Sequence, residues 1–316
     1  MIIELDHVTK DYRGTRAVND VSLRVVTGEN VCLVGESGSG KTTIARMIMG
    51  LESTTKGTIT VDGKPVRKAG QMSRELQMVF QDPFSSFNPR RTIGYALIRA
   101  LRVGAGLDKK AARERAIDLL DKVGLHPADE VLKRFPDEMS GGQRQRASIA
   151  RAVGGGASFI VADEPTSMLD VSVASRTLKL LRELMALNVN YLFITHNLAV
   201  ARYIADRIVV LYRGEVMEEG PADDIVTNPQ HPYTKLLLEC TPDPERPDRQ
   251  MSERVDNADL PDGPGSWCTF APRCPFRTDA CRAPVPFVQV GDRKIRCTLY
   301  EPTEPVGAAP GSGVAR

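Results

Sequence analysis

The sequence predicts an α/β protein built on a mostly parallel core sheet, and three stretches carry that prediction. Gly35-Glu36-Ser37-Gly38-Ser39-Gly40-Lys41-Thr42-Thr43 follows a short apolar run, Val31 to Val34, and leads into helix-forming residues from Ile44 to Met49. The spacing is G-x-x-x-x-G-K-[ST], in the strand–loop–helix context that a phosphate-binding loop needs. Phe159 to Ala162 is wholly apolar and ends in Asp163-Glu164; Tyr191 to Ile194 is equally apolar and ends in Thr195-His196. Runs this apolar suit strands covered on both faces, as in parallel sheets. Ligands of such sheets bind beyond the carboxyl ends of the strands, which places Lys41, Asp163, Glu164 and His196 near one site.

The loop has a defined chemistry. Gly35, Gly38 and Gly40 permit tight turns, with positive φ where required. Successive N–H groups, including those of Ser37, Ser39 and Thr43, then face one concavity beside the positive end of the following helix. Lys41 can reach the β- and γ-phosphates of a nucleoside triphosphate, and the Thr42 hydroxyl can ligate Mg²⁺. A Gly/Ser-rich turn before a helix is the plainer alternative, but strand, loop, Lys-Thr and helix in register argue against it.

In chain order, Ile2 to Leu5, Ala17 to Leu23 and Asn30 to Val34 read as strands. Tyr12 falls between two of them, where it serves either as an aromatic platform for a base or as a ring on a strand face. Thr58 to Lys64 reads as a strand entering an Asp62-Gly63 turn, and Leu76 to Phe80 as a strand that leaves Gln81 at a rim before Pro83. From Thr92 to about Leu125 the period becomes helical, with residues 112, 116, 119, 120 and 123 on one face and Gly124 at the end. Met139-Ser140-Gly141-Gly142-Gln143 precedes a helical run and offers a second helix N-terminus to an anion, a weak signal alone. Arg207 to Val216 reads as a hairpin, and residues 222–240 as mostly helical around Pro229 and Pro232. Between residues 241 and 266, five prolines among many charges mark a linker. The Pro/Gly-rich tail, 301–316, is expected to be disordered.

A net charge of +2 gives no sign of a nucleic-acid partner. No window approaches the roughly 18 apolar residues of a membrane span, and the N-terminus lacks a secretory pattern. A cytosolic protein is expected, with any membrane attachment made through a partner.

Taken together and in order, the phosphate loop, Gln81, Met139 to Gln143, Phe159 to Glu164, Ser167-Met168-Leu169-Asp170 and His196 resemble the ATP-binding subunits of ABC transporters over residues 2–240. Phe80 to Arg90, Asn228 to Thr234 and Leu260 to Pro275 further resemble the oligopeptide/dipeptide importer branch, which also includes importers of nickel chelates and oligosaccharides. The resemblance implies an ABC ATPase fold with an antiparallel β subdomain, a helical subdomain at about residues 84–155, and a small Cys-rich C-terminal extension at residues 267–300. It implies two such subunits sandwiching two ATPs, each held by the phosphate loop of one chain and Ser140-Gly141-Gly142-Gln143 of the other. Tyr12 would stack on adenine, and Lys41 and Thr42 would hold phosphates and Mg²⁺. Gln81 would touch the metal and sense a transmembrane partner. Asp163 would orient Mg²⁺ through water, Glu164 would act as the base, His196 would hold the γ-phosphate, and Asp170 would communicate across the dimer. Met139 stands where the family usually has Leu, a change of little volume.

The implied partners are a second, related but non-identical ATP-binding subunit, two transmembrane permeases and an extracytoplasmic substrate-binding protein. The implied location is the cytoplasmic face of the inner membrane. A soluble ABC ATPase acting on ribosomes or DNA is the alternative, but it usually fuses two such domains or inserts long coiled coils.

Four of the six cysteines, Cys268, Cys274, Cys281 and Cys297, crowd together with five, six and fifteen residues between them. Structural zinc usually uses a pair spaced by two to four residues, and none occurs here. Four thiolates suffice for a [4Fe–4S] cluster, which some members of the branch carry at this position, so iron–sulfur is expected, with zinc, or thiols left unligated or disulfide-bonded, as the alternatives. A bound metal would staple a segment too small to bury much core.

Overall fold

In a computed structural model of the chain, the described residues are 1–66, 75–82, 86–185, 189–240 and 267–300. The predicted linker and tail lie outside them, as do Pro83, Phe84 and Ser85. The chain opens with β1 (Ile2–Tyr12) and β2 (Thr15–Val26), followed by β3 (Val31–Val34), α1 (Lys41–Ile48), β4 (Lys56–Val61) and β5 (Lys64–Pro65). Strands β2-β1-β4-β5 form a four-stranded antiparallel sheet. Asp62 and Gly63 both take positive φ, 51° and 71°, as a two-residue hairpin turn requires. β1 runs further than its sequence suggests, so Tyr12 is its last residue rather than a link between strands.

β6 (Leu76–Val79) is followed by α2 (Ile93–Gly104), α3 (Lys109–Lys122), α4 (Ala128–Val131) and α5 (Gly141–Gly154). The stretch predicted as continuously helical divides because Gly106 adopts φ 69° and the Asp108 carboxylate caps a new helix, accepting from the N–H groups of Lys110 and Ala111. The predicted apolar face of α3 is buried: Ala112, Ala116, Leu119, Leu120 and Val123 all lie in the core. These four helices run consecutively between β6 and β7 (Phe159–Asp163).

The remaining elements are β7 (Phe159–Asp163), α6 (Val171–Met185), β8 (Asn190–Thr195), α7 (Leu198–Ile204), β9 (Arg207–Tyr212), β10 (Glu215–Pro221), α8 (Ala222–Thr227), α9 (Pro232–Glu239), β11 (Val288–Val290) and β12 (Arg293–Ile295). The main sheet runs β11-β12-β10-β9-β3-β8-β7-β6, parallel from β9 to β6 and antiparallel at the other end. The C-terminal hairpin therefore extends this sheet, pairing Ile295 with Glu218 and Lys294 with Glu219.

Alternation along the central strands builds two cores. Cys32, Val34, Ile160, Ala162, Tyr191 and Phe193 pack toward the helical layer. Val31, Leu33, Phe159, Val161, Leu192 and Ile194 pack toward α1 and the antiparallel sheet. A strand of period two with both faces covered must be apolar throughout, and β3, β7 and β8 are fully buried. The carboxyl ends of β3, β7 and β8 lie side by side, and the polar residues just past them open onto one cleft.

Candidate active site

The loop after β3 takes the conformation its glycines allow, though not each for the same reason. Gly38 and Gly40 have φ 79° and 101°. Gly35 does not need positive φ; a Cβ there would lie 2.1 Å from the Leu211 carbonyl oxygen, so the residue is required by close approach. Gly35→Ala is expected to cost about 1–3 kcal/mol through overpacking against backbone that cannot yield, read as a lower thermal midpoint.

Gly40 is the left-handed N-cap of α1, and no side chain caps its N–H groups. The first-turn donors are therefore open toward the cleft, as an anion site needs. Lys41 is buried, and its Nζ donates to the carbonyls of Gly35 and Glu36 at 2.8 Å each and to Ser39 Oγ at 3.3 Å. Burial lowers the Lys41 pKa, opposed by the negative charges of Glu164 and Asp163. Thr42 Oγ1 donates to Asp163 Oδ1 at 3.1 Å. Asp163 is buried at the end of β7; that burial raises its pKa, and the Thr42 hydrogen bond opposes the rise.

Glu164 follows in the left-handed region at φ 40°, a conformation that costs a non-glycine residue of order 1–3 kcal/mol and tends to occur at functional sites. Its N–H bonds the Ile194 carbonyl at 3.0 Å. One carboxylate oxygen lies 3.4 Å from His196 Nδ1, and the other accepts from Gln81 Nε2 at 3.4 Å. The strand ends of β6, β7 and β8 thus bring an amide, a carboxylate and an imidazole into contact.

A cavity of about 630 Å³ gathers Tyr12, Ser37, Gly38, Gly40, Lys41, Thr42, Thr43, Gln81, Glu164 and His196. Ala17 also lines it and carries no sequence signal. The Tyr12 ring is partly exposed, with the Lys10 ammonium 4.8 Å from its centroid.

The second group of predicted residues lies elsewhere. Ser140 caps α5, accepting from the Gln143 N–H at 3.3 Å while the Gln143 side chain accepts from the Ser140 N–H at 3.0 Å. Ser140, Gly141, Gly142, Gln143 and Asp170 do not line the cavity. Asp170 accepts from the Val173 N–H and from Ser172 Oγ at the start of α6, bonds that depress its pKa. Within one chain, its observed part is a helix cap.

The expected metal-ligating set at Cys268, Cys274, Cys281 and Cys297 finds no support in the side-chain placement. Among the described residues, no group of three or more His, Cys, Asp or Glu could hold a metal ion. The thiols nonetheless share one neighbourhood, with the Cys268 N–H donating to the Cys281 carbonyl at 3.0 Å. Burial pushes the Cys268 thiol up to about 12 and also raises Cys274 and Cys297. At Cys281 burial acts in the same direction, but hydrogen bonds with Thr298 and Thr278 outweigh it and hold the thiol below its ordinary value. Ligation of a metal by these side chains would require the thiolate forms.

Sequence reasoning also missed contacts made to the loop from far along the chain. The Glu36 N–H donates to Tyr233 Oη at 2.9 Å, and its carboxylate receives both terminal nitrogens of Arg273 at 2.9 and 3.0 Å. Separations of 197 and 237 residues leave no local pattern to detect.

Residues 18–167 match the ABC transporter family, and residues 217–281 match the C-terminal region of oligopeptide/dipeptide transporters. A di/tripeptide transport ATP-binding protein of Pseudomonas aeruginosa is 40% identical over 299 residues, covering 91% of each chain. A Brucella ovis chain named as a peptide import ATP-binding protein is 45% identical over 280 residues, 86% of this chain and 87% of its own. A dimeric ATP-binding cassette solved with ADP and Pi after hydrolysis superposes with a TM-score of 0.63 at 29% identity, over 70% of this chain and 98% of that one. With a phosphate loop, a strand-end carboxylate pair and a histidine on one cleft, and with these relatives, the chain belongs to the ABC transporter family as an ATP-hydrolysing, ATP-binding subunit of its oligopeptide/dipeptide branch.

Proposed function

We propose that this chain is the ATPase motor of a peptide importer, working at the cytoplasmic face of the membrane beneath two permeases. The observation that carries the catalytic part is the contact set Gln81–Glu164–His196 facing the open N-terminus of α1 across one cavity. Peptide as cargo rests on the relatives, which are named for di/tripeptide transport and peptide import.

In this reading Lys41 and the loop N–H groups hold the β- and γ-phosphates, and Tyr12 carries the adenine. Thr42, Asp163 and Gln81 would hold Mg²⁺. Their few oxygen donors suit an ion that keeps waters and substrate phosphates in its shell, and burial of Asp163 favours a cation beside it. Mg²⁺ would offset charge on the phosphates. Glu164 accepts the proton of the attacking water, and His196, on the far side of that carboxylate, contacts the γ-phosphate. Phosphoryl transfer depends mainly on such positioning and charge stabilisation.

The absence of Ser140 to Gln143 from the cavity fits a composite site, in which a second ATP-binding subunit, related but non-identical, offers those donors and Asp170 relays between subunits. A separate groove of about 390 Å³ is lined by α2 and its neighbours, with exposed Tyr95 and Val103 next to Arg91, Arg99 and Arg151. Its mixed apolar and cationic lining suits a cytoplasmic segment of a permease. None of the helices among the described residues is long and apolar enough to cross a membrane, so attachment would run through that contact.

Cells lacking this chain are expected to lose growth on di- or oligopeptides supplying a required amino acid, with growth on the free amino acid unaffected. Unchanged peptide uptake would reject the cargo. An importer of nickel chelates or oligosaccharides would instead show loss of that uptake.

For the four cysteines we propose an iron–sulfur cluster, with zinc as the alternative. Their shared neighbourhood supports it, and ligation would require the side chains to rearrange and lose the thiol protons. The anaerobically purified chain is expected to be coloured and to contain iron. A colourless protein containing zinc or no metal would end that proposal.

A further inference from the structure

A glutamate within a phosphate-binding loop poses an electrostatic problem. Glu36 is the second residue of that loop, and a triphosphate brings several negative charges to the same place. Even so, Glu36 does not line the cavity. Its carboxylate is turned onto Arg273, which forms two near-parallel bonds to it at 2.9 and 3.0 Å. Bidentate guanidinium–carboxylate pairing is among the stronger and more directional of polar contacts.

Arg273 is itself fixed. Its guanidinium lies 5.7 Å from the Tyr212 ring centroid and 5.9 Å from that of Phe270, and Nη1 approaches Tyr212 Oη at 3.4 Å. Tyr212, Tyr233 and Phe270 pack edge-on or tilted against one another at 4.6–5.4 Å. Tyr233 from this cluster also accepts the Glu36 N–H, and the Glu36 carbonyl accepts from Lys41. Glu36 is thus gripped at its side chain, its N–H and its carbonyl, and the side-chain grip comes from the C-terminal segment. The arm bearing Arg273 is the short stretch between Cys268 and Cys274, which ties the order of the cysteine segment to the phosphate loop.

We propose that Arg273 is a positioning residue of the ATP site: it holds the Glu36 carboxylate away from the phosphates and cancels its charge. Without it, Glu36 swings free at the mouth of an anion site and repels the nucleotide. The role is separate from cargo and from permease contact, so ATP binding is read on the purified full-length chain, and KM and kcat on that chain paired with its second ATP-binding subunit.

Binding of a fluorescent ATP analogue, the KM and kcat for ATP, and the thermal midpoint are measured for Arg273→Ala, Glu36→Gln and the double variant. Arg273→Ala is expected to raise Kd and KM about tenfold, an effect that shrinks at high salt because the repulsion is screened, while kcat stays within about twofold. Deleting the offending charge should rescue it: Arg273→Ala/Glu36→Gln returns to within about threefold of wild type, as expected of two residues that act through each other. Arg273→Lys, which keeps the charge but not the fork, should fall between. An unchanged Kd in Arg273→Ala, or a loss that Glu36→Gln does not relieve, overturns the proposal. A lowered midpoint with unchanged KM would show a merely structural contact and overturns it equally. If Arg273→Ala does not fold, Arg273→Lys with and without Glu36→Gln carries the same test.

Discussion

Glu164→Gln is expected to reduce ATP turnover by about 10²–10⁴-fold, the range that a positioned general base contributes, while leaving ATP binding intact. The amide has the size and shape of the carboxylate and can still sit between Gln81 and His196, each 3.4 Å from the native side chain. Backbone geometry should also persist, because the left-handed φ of 40° at this residue is set by the turn after β7 and by the bond from its N–H to Ile194. What is lost is the ability to take a proton from water. Removing one negative charge beside the phosphates should also favour the nucleotide-bound state, so ATP-loaded dimers accumulate. Phosphate release and size-exclusion chromatography with Mg²⁺ and ATP are the measurements. Near-normal phosphate release by the variant would remove Glu164 from the base role.

The parts of the site legible in the sequence are those fixed by local pattern. A glycine-spaced loop between a buried strand and a helix, and polar residues ending apolar strands, are statements about a few consecutive residues. A parallel sheet brings such ends together, so the sequence alone puts Lys41, Asp163, Glu164 and His196 near one another. Gln81 follows by the same logic, at the rim of β6. What stays hidden is long-range. Nothing near Glu36 announces a partner at Arg273, nor does Ala17 advertise that β2 forms part of the cavity wall. Tyr12 reads as part of a connection because the polar stretch Asp6 to Asp11 masks a strand whose pairing with β2 and β4 passes through register shifts. The division between α2 and α3 depends on a glycine in the left-handed region and an aspartate cap, both visible in the sequence but weaker than the apolar periodicity on either side. The cysteines show the limit of counting. Four thiols in thirty residues suggest a ligand shell, but among the described residues no group of three or more such side chains is placed to hold a metal.

Lys41→Met is expected to separate ATP binding from stability. The ammonium would make charge-assisted bonds to two phosphates, each worth about 1.5–3 kcal/mol. Its loss should therefore weaken ATP binding by about a hundredfold or more. The folded chain should not suffer equally. Lys41 is held in a buried setting that lowers its pKa from the ordinary lysine value of 10.5, despite the attraction of Glu164 and Asp163. A lysine whose pKa is lower folded than unfolded costs stability wherever it must stay charged, and the cost fades as pH rises through the interval between the two values, where the unfolded chain binds more protons. Methionine keeps the unbranched stem and removes the charge, while water in the open cleft can replace the donor to the Gly35 and Glu36 carbonyls. At pH 7 the thermal midpoint of Lys41→Met is therefore expected to equal or exceed that of wild type, and the gap should narrow as pH approaches 10.5. A variant that unfolds several degrees lower at pH 7 would show instead that the three bonds of Lys41 to its own loop stabilise the fold. Retained tight ATP binding would separate the lysine from the phosphates altogether.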